Sequence, residues 1–314
     1  FTGVGFQADL SWQKPRNLAD SHQLVDSVRG VSEILKPDTT GDERTDVNFI
    51  TSFDSDGFTM GSNDWETSVT VVAWNWLAAT TFDPATDGTV TTGSGRSNPT
   101  AGFSIVGYTG TGSNMTIGHG LSQTPELIIV KSRGRDPSSW VTGSSVSEMG
   151  FSDDKYVYLN ASSAVATNSA WWNSTNPTAS VFSVGTDNDI NQDTETYISY
   201  IFHSVEGYSK VGSYEGNGND DGSFVYTGFR PAWILVKNID ASAYWILVDN
   251  KRIGYNPRND VLYPNTSNAE VDVDDFFDIV SNGFKLRSSD SDVNSSTLLY
   301  YAIAEAPFKF ASAR

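Results

Sequence analysis

The chain has 314 residues, 38 acidic against 20 basic side chains, a formal net charge of −18 and no cysteine. That balance argues against binding a nucleic-acid backbone, which needs clustered Lys and Arg, and against anionic membranes. The missing cysteines exclude disulfides and thiolate metal sites. Apolar residues make up 38% and charged residues 18%, so modest, aromatic-rich cores under a Ser, Thr, Asn and Gly surface are expected, and no apolar run reaches the roughly 18 residues a membrane helix needs.

Near the start, Gly5-Phe6-Gln7-Ala8-Asp9-Leu10-Ser11-Trp12-Gln13-Lys14 reads as a turn leading into an apolar strand that stops at a lysine. A second apolar run, residues 22–26, follows a polar turn. Residues 27–35 suggest one or two helical turns. Ser55-Asp56-Gly57-Phe58 marks a turn and strand, and residues 69–76 are rich in β-formers. Residues 83–100, dense in Gly, Ser, Thr and Pro, read as a linker or long loop.

The same order then returns twice. A hairpin around Thr109-Gly110-Thr111-Gly112 precedes the turn and strand ending at Lys131; a hairpin around Gly216-Asn217-Gly218 precedes the copy ending at Lys237. Each copy is followed by an apolar run, at Trp140 and at Trp245, and closes on a long β-rich stretch, residues 197–202 and 298–303. Val271 to Phe277 is a second candidate for a helical turn. The lysines lie 117 and then 106 residues apart, a spacing that suits a small β-sandwich of about 100 residues. The expected fold is therefore all-β, with three tandem β-sandwich-like repeats: residues 1–100 including the linker, 101–206 and 207–314.

The first unit begins at Phe1, inside the second strand of its hairpin, so the chain reads as processed, trimmed or a fragment. The missing strand lies upstream or comes from elsewhere. Pro307-Phe308-Lys309-Phe310-Ala311 resembles the strand Tyr208-Ser209-Lys210-Val211, so residues 308–311 are expected to pair back onto the first unit or onto a neighbouring chain.

Chemistry is harder to find. Asp187, Asp189, Asn191 and Asp193 place oxygen ligands at alternate positions, the pattern of a calcium loop. The glycine and terminal glutamate of an EF-hand are replaced by Gln192 and Ile198, so a polar hairpin tip competes with Ca2+ as the reading. Asp290 and Asp292 form a similar acidic turn. His22, His119 and His203 fall at different places in their units. No nucleophile elbow, P-loop or dinucleotide fingerprint appears, so no catalytic residues are assigned and an enzyme is not expected. Adjacent residues on a strand face opposite ways, so one of Trp171 and Trp172 is expected at the surface, as a sugar-stacking platform or an interface residue. Tyr255, Tyr263 and Trp65 are candidates of the same kind.

Several motifs carry a resemblance. Gly-Phe-x-x-Asp-Leu-x-Trp-x-Lys-x-Arg-Asn at residues 5–17, Asp20-Ser21-His22, Asp26-Ser27-Val28-Arg29-Gly30, Thr51-Ser52-Phe53-Asp54-Ser55-Asp56-Gly57-Phe58, residues 205–214 and the ending at residues 306–314 are similar to a repeat-domain family of phage virion proteins. Its members are tail-fibre-like and other structural proteins of marine and cyanobacterial phages. The resemblance implies a virion component at the particle surface, of tail-fibre or receptor-binding type, attaching to a host glycan or protein. With it come other virion proteins as partners and a homo-oligomer, expected as a trimer. A capsid decoration protein or head fibre is the alternative, and a glycan depolymerase a third.

Overall fold

Strands with apolar residues on one face need one covering layer; strands apolar on both faces need two. The computed structural model describes residues 1–306 except 63, 64, 66, 67 and 253, and the segment expected to pair back, residues 308–311, lies outside the described residues. The first unit comprises β1 (Leu10–Pro15), β2 (Gln23–Asp26), β3 (Gly30–Leu35), β4 (Arg44–Thr45), β5 (Ile50–Asp54), β6 (Gly57–Met60) and β7 (Val71–Trp76). Its sheet runs β4-β3-β2-β1-β7, and the β5–β6 hairpin packs Ile50 and Phe58 against Val25 and Ile34. The helical turns expected over 27–35 are instead a turn and β3: β-branched Val31 and Ile34 favour a pleated surface, and β2 and β4 supply partners.

The second unit comprises β8 (Thr80–Phe82), β9 (Gly93–Asn98), β10 (Phe103–Thr109), β11 (Met115–Gly118), β12 (Leu127–Ser132), β13 (Val141–Ser144), β14 (Lys155–Tyr158), β15 (Ala166–Thr167), β16 (Val181–Val184), α1 (Asn188–Asn191) and β17 (Thr196–Phe202). Its sheet is ordered β15-β14-β13-β12-β17-β10-β9-β8, with β11 and β16 paired across it. This corrects the linker. Residues 93–98 pair along the length of β10, so residues 80–98 join the second sheet rather than the 1–100 unit. Their glycines serve packing: a Cβ at Gly95 would sit 2.3 Å from the Phe82 ring.

The third unit comprises β18 (Ser209–Asn217), β19 (Phe224–Tyr226), β20 (Pro231–Asn238), β21 (Trp245–Asp249), β22 (Arg258–Val261), β23 (Val271–Val280), β24 (Gly283–Leu286) and β25 (Ser295–Ala304). Two four-stranded sheets, β18-β25-β20-β21 and β19-β24-β23-β22, enclose a core that includes Ile234, Val236, Ile246, Phe277 and Phe284. Val271 to Phe277 is strand, not helix, held by β22 and β24.

One arrangement recurs in all three units. The lysine-terminated strand (β1, β12 or β20) lies between the strand that follows it (β2, β13 or β21) and the last strand of its unit (β7, β17 or β25). The register repeats too: Trp12 faces Trp74, Ile129 faces Tyr200, and Leu235 faces Tyr301. On these strands alternate residues enter different cores. Ile128 and Val130 point outward to the second unit's own core, whereas Leu127 and Ile129 point inward. The inward faces of all three sheets meet in one apolar cluster. It contains Leu10 and Trp12, Leu127 and Ile129, and Trp233 and Leu235, around a void of about 20 Å³. Trp76 stands 5.7 Å edge-on from Trp233, and Phe202 lies 4.8 Å from Tyr301. The units are thus not independent sandwiches in tandem; they are fused on a common centre.

The seams repeat as well. The amide of Glu43 donates to Arg133 O, that of Val165 to Ile239 O and that of Glu270 to Arg16 O, each at 2.7 Å. Trp140 Nε1 donates to Lys36 O at 2.9 Å, Trp245 Nε1 to Tyr158 O at 2.9 Å, and His22 Nε2 bonds Tyr263 O at 3.1 Å. The first unit holds the second, the second the third, and the third the first, a closed ring of three.

Candidate functional site

Trp171 and Trp172 are both buried, which overturns the expectation that one faces solvent. The period-two argument assumed a strand, but residues 169–174 form a turn, with Asn173 and Ser174 in the left-handed region at φ 55° and 46°. Ser174 is held there by the Asp154 carboxylate. Both indoles therefore swing inward. Trp171 lies 4.7 Å from Tyr156, and Trp172 meets Phe151 at 5.0 Å and donates through Nε1 to Lys155 O at 2.9 Å.

The acidic stretch after Val184 also has structural work. Asp187 caps the short helix α1 by accepting from the amide of Asp189 at 2.9 Å, and Asp189 pairs with Arg135 at 2.9 Å. Asn191 is fully buried; its amide donates to Ser113 O and Gly185 O, and its Oδ1 accepts from the Thr111 amide. Asp193 is exposed at the turn. The third unit repeats the device: Asp290 accepts from the Asp292 amide at 2.7 Å, and buried Asn294 ties residues 217, 219 and 288 together. Asp-x-Asp-(Ile/Val)-Asn is thus a fold motif of this chain. Among the described residues no group of three His, Asp or Glu side chains is placed to share a metal ion.

The aromatic surface lies elsewhere. A cleft of about 510 Å³ opens on the third unit, within the usual range for small-ligand sites. One wall is Tyr244 and Tyr263, tilted rings 5.1 Å apart. Asp272, Asp290, Asp292, Ser288, Ser289 and Phe276 line the rest of it, and Asp292 Oδ1 accepts from the Tyr244 amide at 3.3 Å. Tyr244 is 46% exposed, because it precedes the buried Trp245 and alternation sends it outward. Tyr263 sits on the segment that receives His22, so the ring seam fixes its position. Burial, then the charge of Asp290, raises the pKa of Asp292, and burial together with both carboxylates raises that of the Tyr263 phenol. Of the residues singled out by sequence, this cleft gathers Tyr263, Asp290 and Asp292. Tyr255 is 73% exposed but belongs to the β21–β22 loop and does not line it. Trp65 donates to Asp20 and packs on Phe49. Tyr244 was missed, although its place beside a core tryptophan was the signal.

A second cleft of about 480 Å³ lies between Gln123, Glu126 and His203, and no aromatic wall faces it. The first cleft offers rings and acceptors together: apolar faces for a flat C–H surface, and carboxylates for hydroxyl donors.

A family model described as a domain of unknown function (DUF7483) matches residues 1–307. No curated protein and no solved structure matches the chain.

Proposed function

We propose, starting from a chain that belongs to the DUF7483 family of domains of unknown function, that it is a bacteriophage virion structural protein of the tail-fibre or receptor-binding type. It attaches non-covalently to the host surface, as a homo-oligomer among other virion proteins, and performs no catalysis. The observation that carries this reading is the Tyr244–Tyr263 cleft, which Asp272, Asp290 and Asp292 also line. A saccharide suits both kinds of lining. Its C–H face covers the rings, and its hydroxyls donate to Asp272, Asp290 and Asp292 in charge-assisted bonds. The chain's resemblance to phage repeat domains supplies the setting, and its net charge of −18 fits a neutral or cationic glycan better than a polyanion.

The test is binding of the purified chain to host-surface polysaccharide. Tyr244→Ala removes one of the two rings without touching the core, and an aromatic contact of about 0.5–1.5 kcal/mol corresponds to a loss of up to about tenfold in affinity. Native protein that binds no host polysaccharide, or a variant that binds as well as the native one, would sink the proposal. An architectural role on the capsid is the second reading, favoured by β7, which has β1 on one side and, among the described residues, no strand on the other. Immunogold label on the head rather than the tail would support it.

A further inference from the structure

The three units carry one polar site in three versions. Five residues before the repeat lysines stand Asp9, Glu126 and Ala232. Their backbones are held alike. The amides of Asp9 and Glu126 donate to Trp76 O and Phe202 O, at the ends of β7 and β17. The carbonyls of Asp9, Glu126 and Ala232 accept from the amides of Ser27, Ser145 and Asn250. In the first unit the Asp9 carboxylate is fully buried and accepts from the Ala78 amide and the Ser27 hydroxyl, each at 2.7 Å. Arg96 neutralises it: Nε lies 2.9 Å from Asp9 Oδ1 and also donates to Ala78 O at 3.1 Å. In the third unit the carboxylate comes from Glu305 instead, which pairs with Arg230 at 2.8 Å and accepts from Asn250 Nδ2 at 2.9 Å.

The second unit has the carboxylate without the arginine. Glu126 accepts from the Ser204 amide, as Asp9 does from that of Ala78. Among the described residues no lysine or arginine joins it. It lines the cleft of about 480 Å³, together with Gln123, Thr124, Ser145, His203 and Ser204. Ser145 is the counterpart of Ser27, and every residue lining the cleft is described.

His203 is a second, independent sign of a ligand. Its ring is 2% exposed, and Nδ1 lies 2.9 Å from Ser204 O. A carbonyl only accepts, so Nδ1 carries the proton and Nε2 is a bare acceptor. That Nε2 is buried and has no partner among the described residues, an acceptor that a bound donor would satisfy. Ser204 O is the counterpart of Ala78 O. The imidazole thus takes the carbonyl that Arg96 uses in the first unit and leaves the carboxylate to another donor.

We propose that this cleft binds a guanidinium group from outside the chain, completing on the second unit the pair that Arg96 and Arg230 make on the other two. A carboxylate, a bare imidazole nitrogen and the side-chain oxygens of Gln123 and Thr124 are all acceptors. A guanidinium is all donors, five N–H groups in a planar fork, and pairs strongly with carboxylates. The net charge of −18 draws cations to the surface. The cleft shares no residue with the tyrosine cleft, so this site stands whether or not that one takes a saccharide.

The probe is L-argininamide, titrated into the full chain and followed by the NMR shifts of the Ser145 and Ser204 amides. Citrullinamide, of the same shape but uncharged at the urea end, is the control, and acetyl-Gly-Arg-Gly-amide is the peptide form. Argininamide should shift both amides saturably, and citrullinamide should bind about tenfold more weakly or worse. Glu126→Gln keeps an acceptor for the Ser204 amide but removes the charge, and should weaken argininamide by a similar factor. A tripeptide that binds as tightly as argininamide assigns the site to an arginine of a partner protein. Binding of argininamide alone assigns it to a small cationic ligand. No saturable shift with either arginine probe would overturn the proposal. So would citrullinamide binding as well as argininamide, or an affinity for argininamide unchanged in Glu126→Gln.

Discussion

At the scale of single residues, the three repeat lysines are the chain's least expected feature. Lys14, Lys131 and Lys237 are fully buried, although a buried ammonium is costly. Burial lowers each pKa from 10.5 to about 8. Lys237 is compensated by the carbonyls of Ser162, Asn238 and Ala241, whereas Lys131 Nζ is buried without a partner. The sign of the consequence is fixed by linkage. Between about 8 and 10.5 the unfolded chain keeps protons that the folded chain has released, so raising the pH stabilises the fold in that window. Above about 10, tyrosines such as Tyr200 and Tyr301, whose ionisation burial pushes up, begin to oppose it. Urea midpoints should therefore rise from pH 8 to about pH 10, and Lys131→Met should weaken the rise with little loss at neutral pH. Lys237→Met should instead cost about 1–3 kcal/mol by stranding its carbonyls. A flat native profile over that range would refute the argument. The lysines were legible as punctuation in the sequence, but their burial was not, because it depends on seams between segments about a hundred residues apart.

At the scale of elements, each seam is the same backbone hydrogen bond surrounded by different side chains. At one, Glu43 receives both Arg29 and Arg133; at the next, Glu270 receives Arg252 and Arg16; at the third the corresponding positions are Val165 and Ile239. The Arg29 side chain is completely enclosed and also pairs with Asp26. Glu43→Ala strips a carboxylate from that enclosure and should destabilise by about 3 kcal/mol, as expected when one partner of a buried ion network is removed. Equilibrium denaturation checks this, and a loss below 1 kcal/mol would mean that Asp26, the Leu24 and Glu33 carbonyls and the Tyr200 hydroxyl satisfy Arg29 without Glu43. Elements were legible where the pattern was strictly local: the lysine strands and the closing strands appear where the repeat placed them. The hairpins expected around residues 109–112 and 216–218 do not form, because β10 and β18 join the lysine sheets whereas β11 and β19 pair with β16 and β24 in separate sheets. Two kinds of segment misled. Residues 271–277 look helical by composition but find strand partners on both sides. Residues 93–98 look like a linker because they carry the glycines that Phe82 and β10 demand. In both cases a tertiary neighbour overrode a local preference.

At the scale of the whole molecule, the sequence invited a count of three domains, and the packing answers with one shared centre. The clue was in the runs themselves. Trp-Ile-Leu-Val, at 233–236 and again at 245–248, is apolar on both faces, and a sheet with two apolar faces cannot end at a single sandwich. Because Trp12, Trp76, Phe103, Phe202, Trp233 and Tyr301 pack together, no unit can unfold without exposing the inward faces of the other two. Thermal unfolding should therefore be a single transition, with calorimetric and van't Hoff enthalpies in agreement. Trp233→Ala, at the middle of the cluster, should lower that one transition as a whole, by about 3–5 kcal/mol, and should not split off a third-unit transition. Separate transitions, with only one moved by Trp233→Ala, would show that the central cluster joins three self-sufficient sandwiches. A single transition would make it the core on which each unit depends.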